Sequence, residues 1–352
     1  MFLKDSSAYN IQFENGKPIF IDTTSFEKYI EGEPWIAYKQ FCQHFLAPLT
    51  LMSYKDIRLS QLLRIYLDGL PLDLVSSMLP FKTKLSFSLL SHIHLHSQAQ
   101  KKYEKKEGNE KNKSKVSLNG LIGIIDNLES AIKNLKWEPK DTEWADYYDE
   151  TNYSEDAFRN KKGIISGFLN KVPNTNMVWD FGANTGEFSR LASEKGIKTI
   201  AFDIDPSAVE KNYLSVVKNK ETNILPLELN VCNPSPGIGW ENRERKSLID
   251  RGPVDVILAL ALIHHLAISN NIPLQKIGLL LNKLCKYLII EFIPKDDSKV
   301  QFLLSSREDI FTNYTKTNFE TEFSKHFSIL ETKPVLDSKR TIYLMKRKSN
   351  NP

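Results

Sequence analysis

One acidic residue, Asp180, lies close to two glycines, Gly182 and Gly186, and a second acid follows at Asp203. Gly182 and Gly186 would let the backbone approach a ligand closely, because glycine has no side chain to obstruct it. A carboxylate such as Asp203, about twenty residues beyond the first glycine, can accept two hydrogen bonds from ribose hydroxyls. These residue types and spacings predict a site for a cofactor that carries a nucleoside.

The residues around this loop must form the elements that position it. Residues 177–179 are a short apolar run that predicts a buried strand running into Asp180. A helix is predicted next, since apolar residues from Phe188 to Ala192 share one helical face, and residues 199–202 predict a second buried strand. A unit of strand, loop, helix and strand binds its ligand at the carboxyl ends of the strands.

The order of residues in the loop, D-x-G-x-N-x-G, differs from the G-x-G-x-x-G pattern that binds a pyrophosphate. A carboxylate two residues before the first glycine would repel a diphosphate and suits a cationic ligand. The loop resembles motif I of the class I S-adenosylmethionine-dependent methyltransferases, D/E-x-G-x-G-x-G, with Asn184 in place of the middle glycine. Asparagine tolerates positive φ better than other non-glycine residues, so the loop keeps its shape. The alternative is a Rossmann-like loop that binds NAD or no ligand.

This resemblance implies S-adenosylmethionine as the cofactor. Asp180 and Gly182 would hold its amino-acid part and Asp203 its ribose. Asn230, at the end of the third strand, would contact the adenine, although the usual residue there is aspartate. The predicted cofactor-binding residues are Asp180, Gly182, Asn184, Gly186, Asp203 and Asn230.

Strands and helices alternate along the rest of the chain. After Asp203, strands are predicted at 224–229, 254–260 and 287–292, with helices at 206–218 and 272–284 between them. Residues 327–330 and 341–345 predict two last strands, which could form the antiparallel edge pair of the methyltransferase fold. The alternation predicts an α/β fold with a mostly parallel sheet. The resemblance implies that this is the Rossmann-like class I methyltransferase fold with a seven-stranded sheet, and the apolar spacing before it predicts a mainly helical N-terminal domain.

The fourth predicted strand runs into a pair of histidines, His264 and His265. In the methyltransferases that the loop resembles, this segment faces the methyl group. A hydroxyl acceptor must lose its proton, and histidine has a suitable pKa near neutral pH. We therefore predict His264 or His265 as the general base, with Glu291 placed to orient the base or to accept from the substrate. The alternative is that one histidine caps the strand end and the other merely lines the pocket.

An unusually long insert, residues 231–252, separates the third and fourth strands and contains Trp240, Arg243 and Arg245. These side chains could stack on a ring and grip an anionic or polyhydroxy acceptor, so we predict them as substrate-binding residues. The tract N-P-S-P within the insert superficially resembles the N/D-P-P-Y motif of amino-group methyltransferases. That motif follows the fourth strand, whereas this tract precedes it and lacks the adjacent Pro-Pro-aromatic sequence, which argues against N-methylation of a base.

Aromatic residues are concentrated just before the cofactor loop, in the segment 137–153. In class I methyltransferases a segment at this position often folds over the cofactor. Tyr148 and Tyr153 are therefore predicted to cover the site, exclude water and contact the substrate. A docking seam between two domains is the alternative.

Four parts are predicted along the chain: a mainly helical N-terminal domain at 1–100, a charged linker at 101–117, a helical and aromatic lid segment at 118–170, and a cofactor-binding domain at 171–348. The sequence HIHLH at 92–96 lies in the first part. A metal site needs further ligands and a second shell, so we predict a polar face or substrate contact there and no metal.

The net charge of +4 is concentrated in residues 101–115, which hold seven lysines and three glutamates. The remaining forty basic and forty acidic residues balance, which favours a solvated linker over a nucleic-acid contact, although the linker leaves the latter open. The three cysteines lie far apart, as is typical of buried thiols in a reducing compartment. Without a signal-like or membrane-spanning apolar run, we expect a cytoplasmic protein with no transmembrane segment.

Taken along nearly its whole length, the sequence resembles the NoeA-like methyltransferases, a family often linked to modification of surface saccharides. The segments that carry the resemblance are RLSQLLRIYLDGLPLDL, HIHLH, WADYYDETNYS, NPSPGIGWENRER, ALALIHHLAISNN and LIIEFIPKDD. The resemblance implies O-methylation of a small-molecule or saccharide-containing acceptor. Methylation of RNA or protein, and a non-catalytic adapter that only binds the cofactor, are the alternatives.

Overall fold

A computed structural model describes residues 1–99, 115–139 and 154–348. The chain divides into two compact units, Met1–Glu138 and Pro139–Pro352. Tyr148, Tyr153 and most of the charged linker lie outside the described residues. Among the residues that are described, no helix is long and apolar enough to cross a membrane.

The first unit begins with two small antiparallel sheets. Strand β1 (Phe2–Leu3) pairs with β4 (Phe26–Glu27), and β2 (Ile11–Glu14) pairs with β3 (Lys17–Phe20). The turn between β2 and β3 is Asn15-Gly16, and both residues have positive φ. Such a pair suits a tight hairpin turn.

Helical segments build the core of the first unit. Apolar side chains including Leu46, Leu51 and Ile93 are fully buried in it, together with Leu128 and Ala131. The helical segments of this unit are Ala8–Asn10, Thr23–Ser25, Tyr38–Phe41, Cys42–Leu46, Ala47–Tyr54, Ile57–Arg64, Leu72–Met78, Phe81–Leu85, Phe87–Leu89, Leu90–Leu95 and Leu118–Asn134.

The helix Leu118–Asn134 belongs to this first core. From the sequence we expected it to group with the segment that leads into the cofactor loop, whereas in the structure it lies in the first unit. Leu128 and Ala131 on its apolar face pack in the same cluster as Cys42 and Leu46, so burial of this face explains where the helix lies.

The second unit is built on one seven-stranded sheet. Its order is β10-β11-β9-β8-β5-β6-β7, and all neighbours are parallel except β11, which runs antiparallel to both β9 and β10. This is the strand order of the class I methyltransferase fold, so the predicted fold class is confirmed. The strands are β5 (Met177–Phe181), β6 (Lys198–Asp203), β7 (Ile224–Glu228), β8 (Val254–Ala259), β9 (Cys285–Phe292), β10 (Phe327–Pro334) and β11 (Thr341–Arg347).

Both faces of the sheet are covered, because successive strand residues point to opposite sides. Along β8, Val256 and Leu258 join one buried cluster, while Ile257 and Ala259 join the other. The parallel strands therefore bring their carboxyl ends to one edge, where ligands bind in such sheets. The covering helices are Glu155–Lys171, Arg190–Ser193, Pro206–Asn219, Leu248–Arg251, Leu274–Leu284, Ser298–Leu304 and Lys316–Ser324, with shorter helical turns at Trp240–Asn242 and His265–Ser269.

Candidate cofactor-binding and active site

A cavity of about 410 Å³ lies at the carboxyl ends of the parallel strands. Six of the predicted site residues line it: Asp180, Gly182, Asn184, Asp203, Asn230 and His265. Most of the other lining residues are apolar, and they are Phe158, Lys161, Ala183, Phe188, Ile204, Leu229, Val231, Cys232, Leu260, Ala261, Leu262, Leu266, Ser269, Asn270 and Leu303. An apolar cavity with a few convergent polar groups is the usual form of a small-molecule site.

Asp180 is the buried acid at the end of β5. Its side chain is 2% exposed, and its Oδ2 accepts a hydrogen bond from Ser189 Oγ at 2.7 Å. Burial raises the pKa of this carboxyl to about 7, and the nearby charge of Asp203 adds to the shift. A cation bound beside Asp180 would therefore favour the ionised carboxylate.

Asp203 is the last residue of β6 and is held by backbone amides on both oxygens. Its Oδ2 accepts from the N–H of Asn184 at 2.7 Å, and its Oδ1 from the N–H of Asp205 at 2.9 Å. Burial raises the pKa of Asp203, while these hydrogen bonds oppose the shift. Because one carboxylate oxygen can accept more than one hydrogen bond, Asp203 can still receive hydroxyl groups of a ligand.

The loop between these acids has the left-handed turn that its sequence predicts. Asn184 has φ 49°, and its Oδ1 accepts from the N–H of Thr185 at 2.8 Å. The N–H groups of Gly182 and Ala183 both donate to the carbonyl of Phe202, at 2.9 Å each. The loop is thereby tied to the neighbouring strand β6.

Gly186 serves packing in the structure. A Cβ at this position would lie 2.6 Å from Nδ2 of Asn212 and 2.8 Å from a guanidinium nitrogen of Arg190, and its φ is +82°. Gly186 does not line the cavity. We expected its lack of a side chain to let the backbone approach a ligand, and the structure instead explains it by close contact with the helix Pro206–Asn219.

The two adjacent histidines after β8 have different surroundings in the structure. His265 lines the cavity, and burial lowers its pKa to about 4, so its imidazole is neutral at pH 7. His264 is 2% exposed, does not line the cavity, and its Nδ1 has no hydrogen-bond partner among the residues that the structure describes. The ring centroids are 4.1 Å apart. Of the two candidates, only His265 has the position for contact with a substrate.

Glu291, in β9, lies behind the cavity wall. It is fully buried, and its Oε2 accepts from Lys161 Nζ at 2.7 Å and from the N–H of Ala261 at 2.8 Å. We expected Glu291 to orient a histidine or to accept from the substrate. These two hydrogen bonds place its carboxylate between a buried ammonium group and the turn that follows β8, and Glu291 does not line the cavity.

Sequence reasoning missed Lys161, which lines the cavity from the helix Glu155–Lys171. Its side chain is 2% exposed, and its Nζ lies 4.7 Å from the centroid of the Phe188 ring. A signal was present, because Lys161 takes a place in the run of apolar positions Ala157 and Ile165 at helical spacing. A lysine on the apolar face of a helix is costly unless its charge is paired.

Comparison with known proteins identifies the family. Over 351 residues the chain is 35% identical to the nodulation protein NoeA of Rhizobium meliloti (strain 1021), and the match covers 98% of this chain and 73% of that protein. The chain belongs to the NoeA family. No family model matches the sequence.

Solved structures with a similar fold show low sequence identity to this member of the NoeA family. Magnesium protoporphyrin IX methyltransferase from Synechocystis PCC 6803, solved with bound SAH, matches with a TM-score of 0.41, 15% identity and coverage of 58% of this chain and 92% of that chain. The 16S rRNA methylase ArmA matches with a TM-score of 0.39, 15% identity and coverage of 59% and 100%. Assignment of the fold therefore rests on the strand order described above.

The insert of this NoeA-family chain begins at the cavity and contains an exposed turn between Ile238 and Arg245. Val231 and Cys232 line the cavity, whereas Trp240 is 79% exposed. Ile238 and Arg245 pair across the turn, and each donates its N–H to the carbonyl of the other. Arg243 and Arg245 approach Glu241 and Glu244, at 3.7 and 3.5 Å. The three predicted substrate-binding residues Trp240, Arg243 and Arg245 therefore share a turn outside the cavity.

The histidines of HIHLH are held inside the first unit. His92 is within hydrogen-bond distance of Tyr38 Oη (2.6 Å) and Asn127 Oδ1 (2.9 Å). His94 is similarly close to Ser76 and Thr83 through its two ring nitrogens. The ring of His96 stacks on Tyr38, with centroids 5.0 Å apart. These contacts correct the expectation of a polar face or substrate contact, because the rings pack and bond within their own unit.

Proposed function

We propose that the protein is an S-adenosylmethionine-dependent methyltransferase that methylates an oxygen of a saccharide or saccharide-containing acceptor. One observation carries this proposal. Two buried carboxylates at the ends of β5 and β6 and a neutral histidine after β8 line the same cavity. The first two suit a cationic, ribose-containing cofactor, and the third suits a group that must lose a proton.

The proposed cofactor contacts follow from the chemistry of the lining residues. Asp180 would bind the ammonium of the amino-acid part beside Gly182, and Asp203 would accept from the ribose hydroxyls. Asn230 carries an amide that can both donate to and accept from an adenine edge. The apolar side chains Leu229 and Leu262 would exclude water around the cofactor.

S-adenosylmethionine would supply a methyl group activated by the adjacent sulfonium, and its carbon–sulfur bond would break to leave the neutral thioether of S-adenosylhomocysteine. The chain's own residues would align the acceptor oxygen with the methyl carbon and keep water out, because in-line displacement depends on alignment. His265 would take the hydroxyl proton as the bond from oxygen to carbon forms. Ser269 lines the same wall, and its Oγ is buried without a hydrogen-bond partner within the described part of the chain.

The acceptor class is proposed from the family and from the insert. Exposed tryptophan rings stack on the apolar faces of sugars, and guanidinium groups bind hydroxyl and anionic oxygens. Trp240 and Arg243 offer both groups on one turn, with side chains that are largely exposed. A long acceptor could contact this turn while one of its hydroxyls enters the cavity.

Titration calorimetry with S-adenosylhomocysteine and a transfer assay with labelled cofactor test the proposal. We expect saturable binding and incorporation of label into a saccharide fraction of a cell extract. Trp240→Ala should raise the KM for that acceptor about 2- to 10-fold, the range expected for loss of one aromatic contact, with little change in kcat. Absence of binding would refute the cofactor, and label found in RNA or protein would refute the acceptor class.

A further inference from the structure

A buried ion pair lies beside the cavity and is not explained by the proposed contacts with cofactor or acceptor. The side chains of Lys161 and Glu291 are 2% and 0% exposed, and Lys161 Nζ lies 2.7 Å from Glu291 Oε2. Replacing such a pair by apolar side chains of similar volume is often neutral or stabilising, because both charges lose their hydration. Stability alone therefore does not account for this pair.

The oxygen of Glu291 that contacts Lys161 also binds the backbone after β8. Oε2 accepts from the N–H of Ala261 at 2.8 Å. Ala261 has φ 48°, a left-handed conformation that is unfavourable for an alanine. Residues in such conformations persist where the surrounding structure holds them, and they cluster at functional sites. The hydrogen bond to Glu291 is one contact that holds Ala261.

The turn at Ala261 determines where the next residues lie. The carbonyl of Leu262 accepts from the N–H groups of His265 and Leu266, at 3.0 and 3.2 Å, and so starts the helical turn His265–Ser269. The side chain of Leu262 packs near Gly182, where an added Cβ would lie 3.4 Å from its Cδ1. A change in the backbone at Ala261 would therefore move both the histidine and a wall of the cofactor loop.

We propose that Lys161 and Glu291 are positioning residues, which hold the turn at Ala261 so that His265 faces the acceptor. The connection runs from the ammonium of Lys161 through one oxygen of Glu291 to the N–H of Ala261. This inference rests on the proposed function, because it assigns the turn a task in methyl transfer. In the protein without ligands, the pair also restrains residues 260–266.

The variant Lys161→Met/Glu291→Leu removes both charges together, so that neither is left buried and unpaired. We expect hydrogen exchange of the amides in residues 260–266 to become at least about tenfold faster in the free protein, since an amide loses its acceptor. The kcat for methyl transfer should fall about 100-fold, as expected for misplacement of a catalytic group. Affinity for S-adenosylhomocysteine should change less than about 3-fold.

Adding Ala261→Gly to this double variant provides a rescue. Glycine adopts a left-handed conformation without the cost that alanine incurs. It should restore about tenfold of the lost kcat, because the turn then needs less support. The matched control is Lys162→Met, which breaks the half-exposed pair between Lys162 and Glu187 on the same helix. That control should leave both kcat and the exchange of residues 260–266 at the wild-type level.

The exchange measurement separates this inference from the proposed function, since it needs no cofactor or acceptor. Wild-type exchange and kcat in the double variant would overturn the inference. Loss of S-adenosylhomocysteine affinity with wild-type exchange would also overturn it and make Lys161 a ligand contact. If the wild-type protein binds no S-adenosylhomocysteine, the proposed function fails, and the exchange data still decide whether the pair restrains the turn.

Discussion

Two edges of the same cavity differ in how their polar groups are held. At the ends of β5 and β6, Asp180 and Asp203 are bonded to Ser189, Asn184 and Asp205, all within the segment 180–205. At the end of β8, the turn before His265 is held by Glu291, a residue of another strand. The first edge is a local motif, and the second depends on contacts between distant parts of the chain.

This difference matches the two tasks proposed for the cavity, which are cofactor binding at the first edge and contact with the acceptor at the second. A local strand, loop and helix unit forms a cofactor site almost independently of its surroundings, so it can be recognised from sequence. The edge that faces the acceptor is assembled from β8, β9 and the helix Glu155–Lys171. Substitutions at the first edge should therefore change cofactor affinity, whereas substitutions at the second should change turnover.

The largest effect is expected from His265→Ala, which removes the proposed base at the second edge. The kcat should fall about 10²- to 10⁴-fold, the usual contribution of general base catalysis, while S-adenosylhomocysteine binding is retained. Steady-state kinetics and calorimetry on the same preparation measure both quantities. If His265→Ala lowered the affinity for S-adenosylhomocysteine as much as it lowered kcat, the two edges would not serve separate tasks.

A smaller effect, on affinity alone, is expected from Asp203→Ala at the first edge. Two hydrogen bonds to a charged group contribute roughly 3 kcal/mol, so affinity for S-adenosylhomocysteine should fall about 100-fold. The control Asp296→Ala removes an exposed carboxylate that pairs with Lys339 in the same unit. Calorimetry showing the same affinity for Asp203→Ala as for this control would contradict the ribose contact.

The pH dependence of binding should report on Asp180. Because burial raises its pKa to about 7, cofactor affinity should rise about tenfold per pH unit below that value and then level off, since a cation favours the ionised form. Asp180→Asn should bind more weakly and lose this dependence between about pH 6 and about pH 8. A wild-type affinity that is flat across this range would be inconsistent with a cation held by Asp180.

The raised pKa of Asp180 also makes the stability of the folded protein depend on pH. The folded-state pKa of about 7 exceeds the value of about 3.9 that is usual for an unfolded chain. Protonation of Asp180 therefore stabilises the folded protein at low pH, and this contribution is lost as pH rises from about 4 to about 7.

The smallest effect should come from Gly186→Ala, and it should appear in stability. An added Cβ would meet Asn212 and Arg190 at a backbone with φ +82°, so the free energy of unfolding should fall by about 1–3 kcal/mol. The control is Gly163→Ala in the helix Glu155–Lys171, where nothing lies within 4 Å of the added atom. That change should be neutral or stabilising by up to about 1 kcal/mol. Denaturant unfolding of both variants tests whether packing explains Gly186.

Asp180 and Asp203 could be expected at one edge from the sequence, because they lie close together along the chain, and both line the cavity. The period of apolar residues gave the strands, and the spacing from Asp180 to Asp203 gave the unit that joins them. The mostly parallel sheet followed from the alternation of strands and helices, and its seven strands from the family resemblance, whereas the strand order comes from the structure. At this edge the local residue pattern and the overall fold lead to the same prediction.

The second edge was predicted less completely, for a physical reason. Lys161 and Glu291 are separated by 130 positions in sequence, so only the folded chain brings them together. Adjacent histidines look equivalent in sequence, and their different burial depends on the turn that starts at Ala261. Likewise, nothing local places Trp240 outside the cavity, since its turn is fixed by pairing between Ile238 and Arg245.

Asn184 shows what the middle position of the cofactor loop requires of its residue. Its torsion lies in the left-handed region, and its amide oxygen binds the next backbone N–H, so the side chain supports the bend. The condition at this position is thus a backbone angle rather than an empty space. A sequence motif that requires glycine at all three positions would miss chains of this kind. A motif that accepts any residue able to adopt positive φ at the middle position would include them.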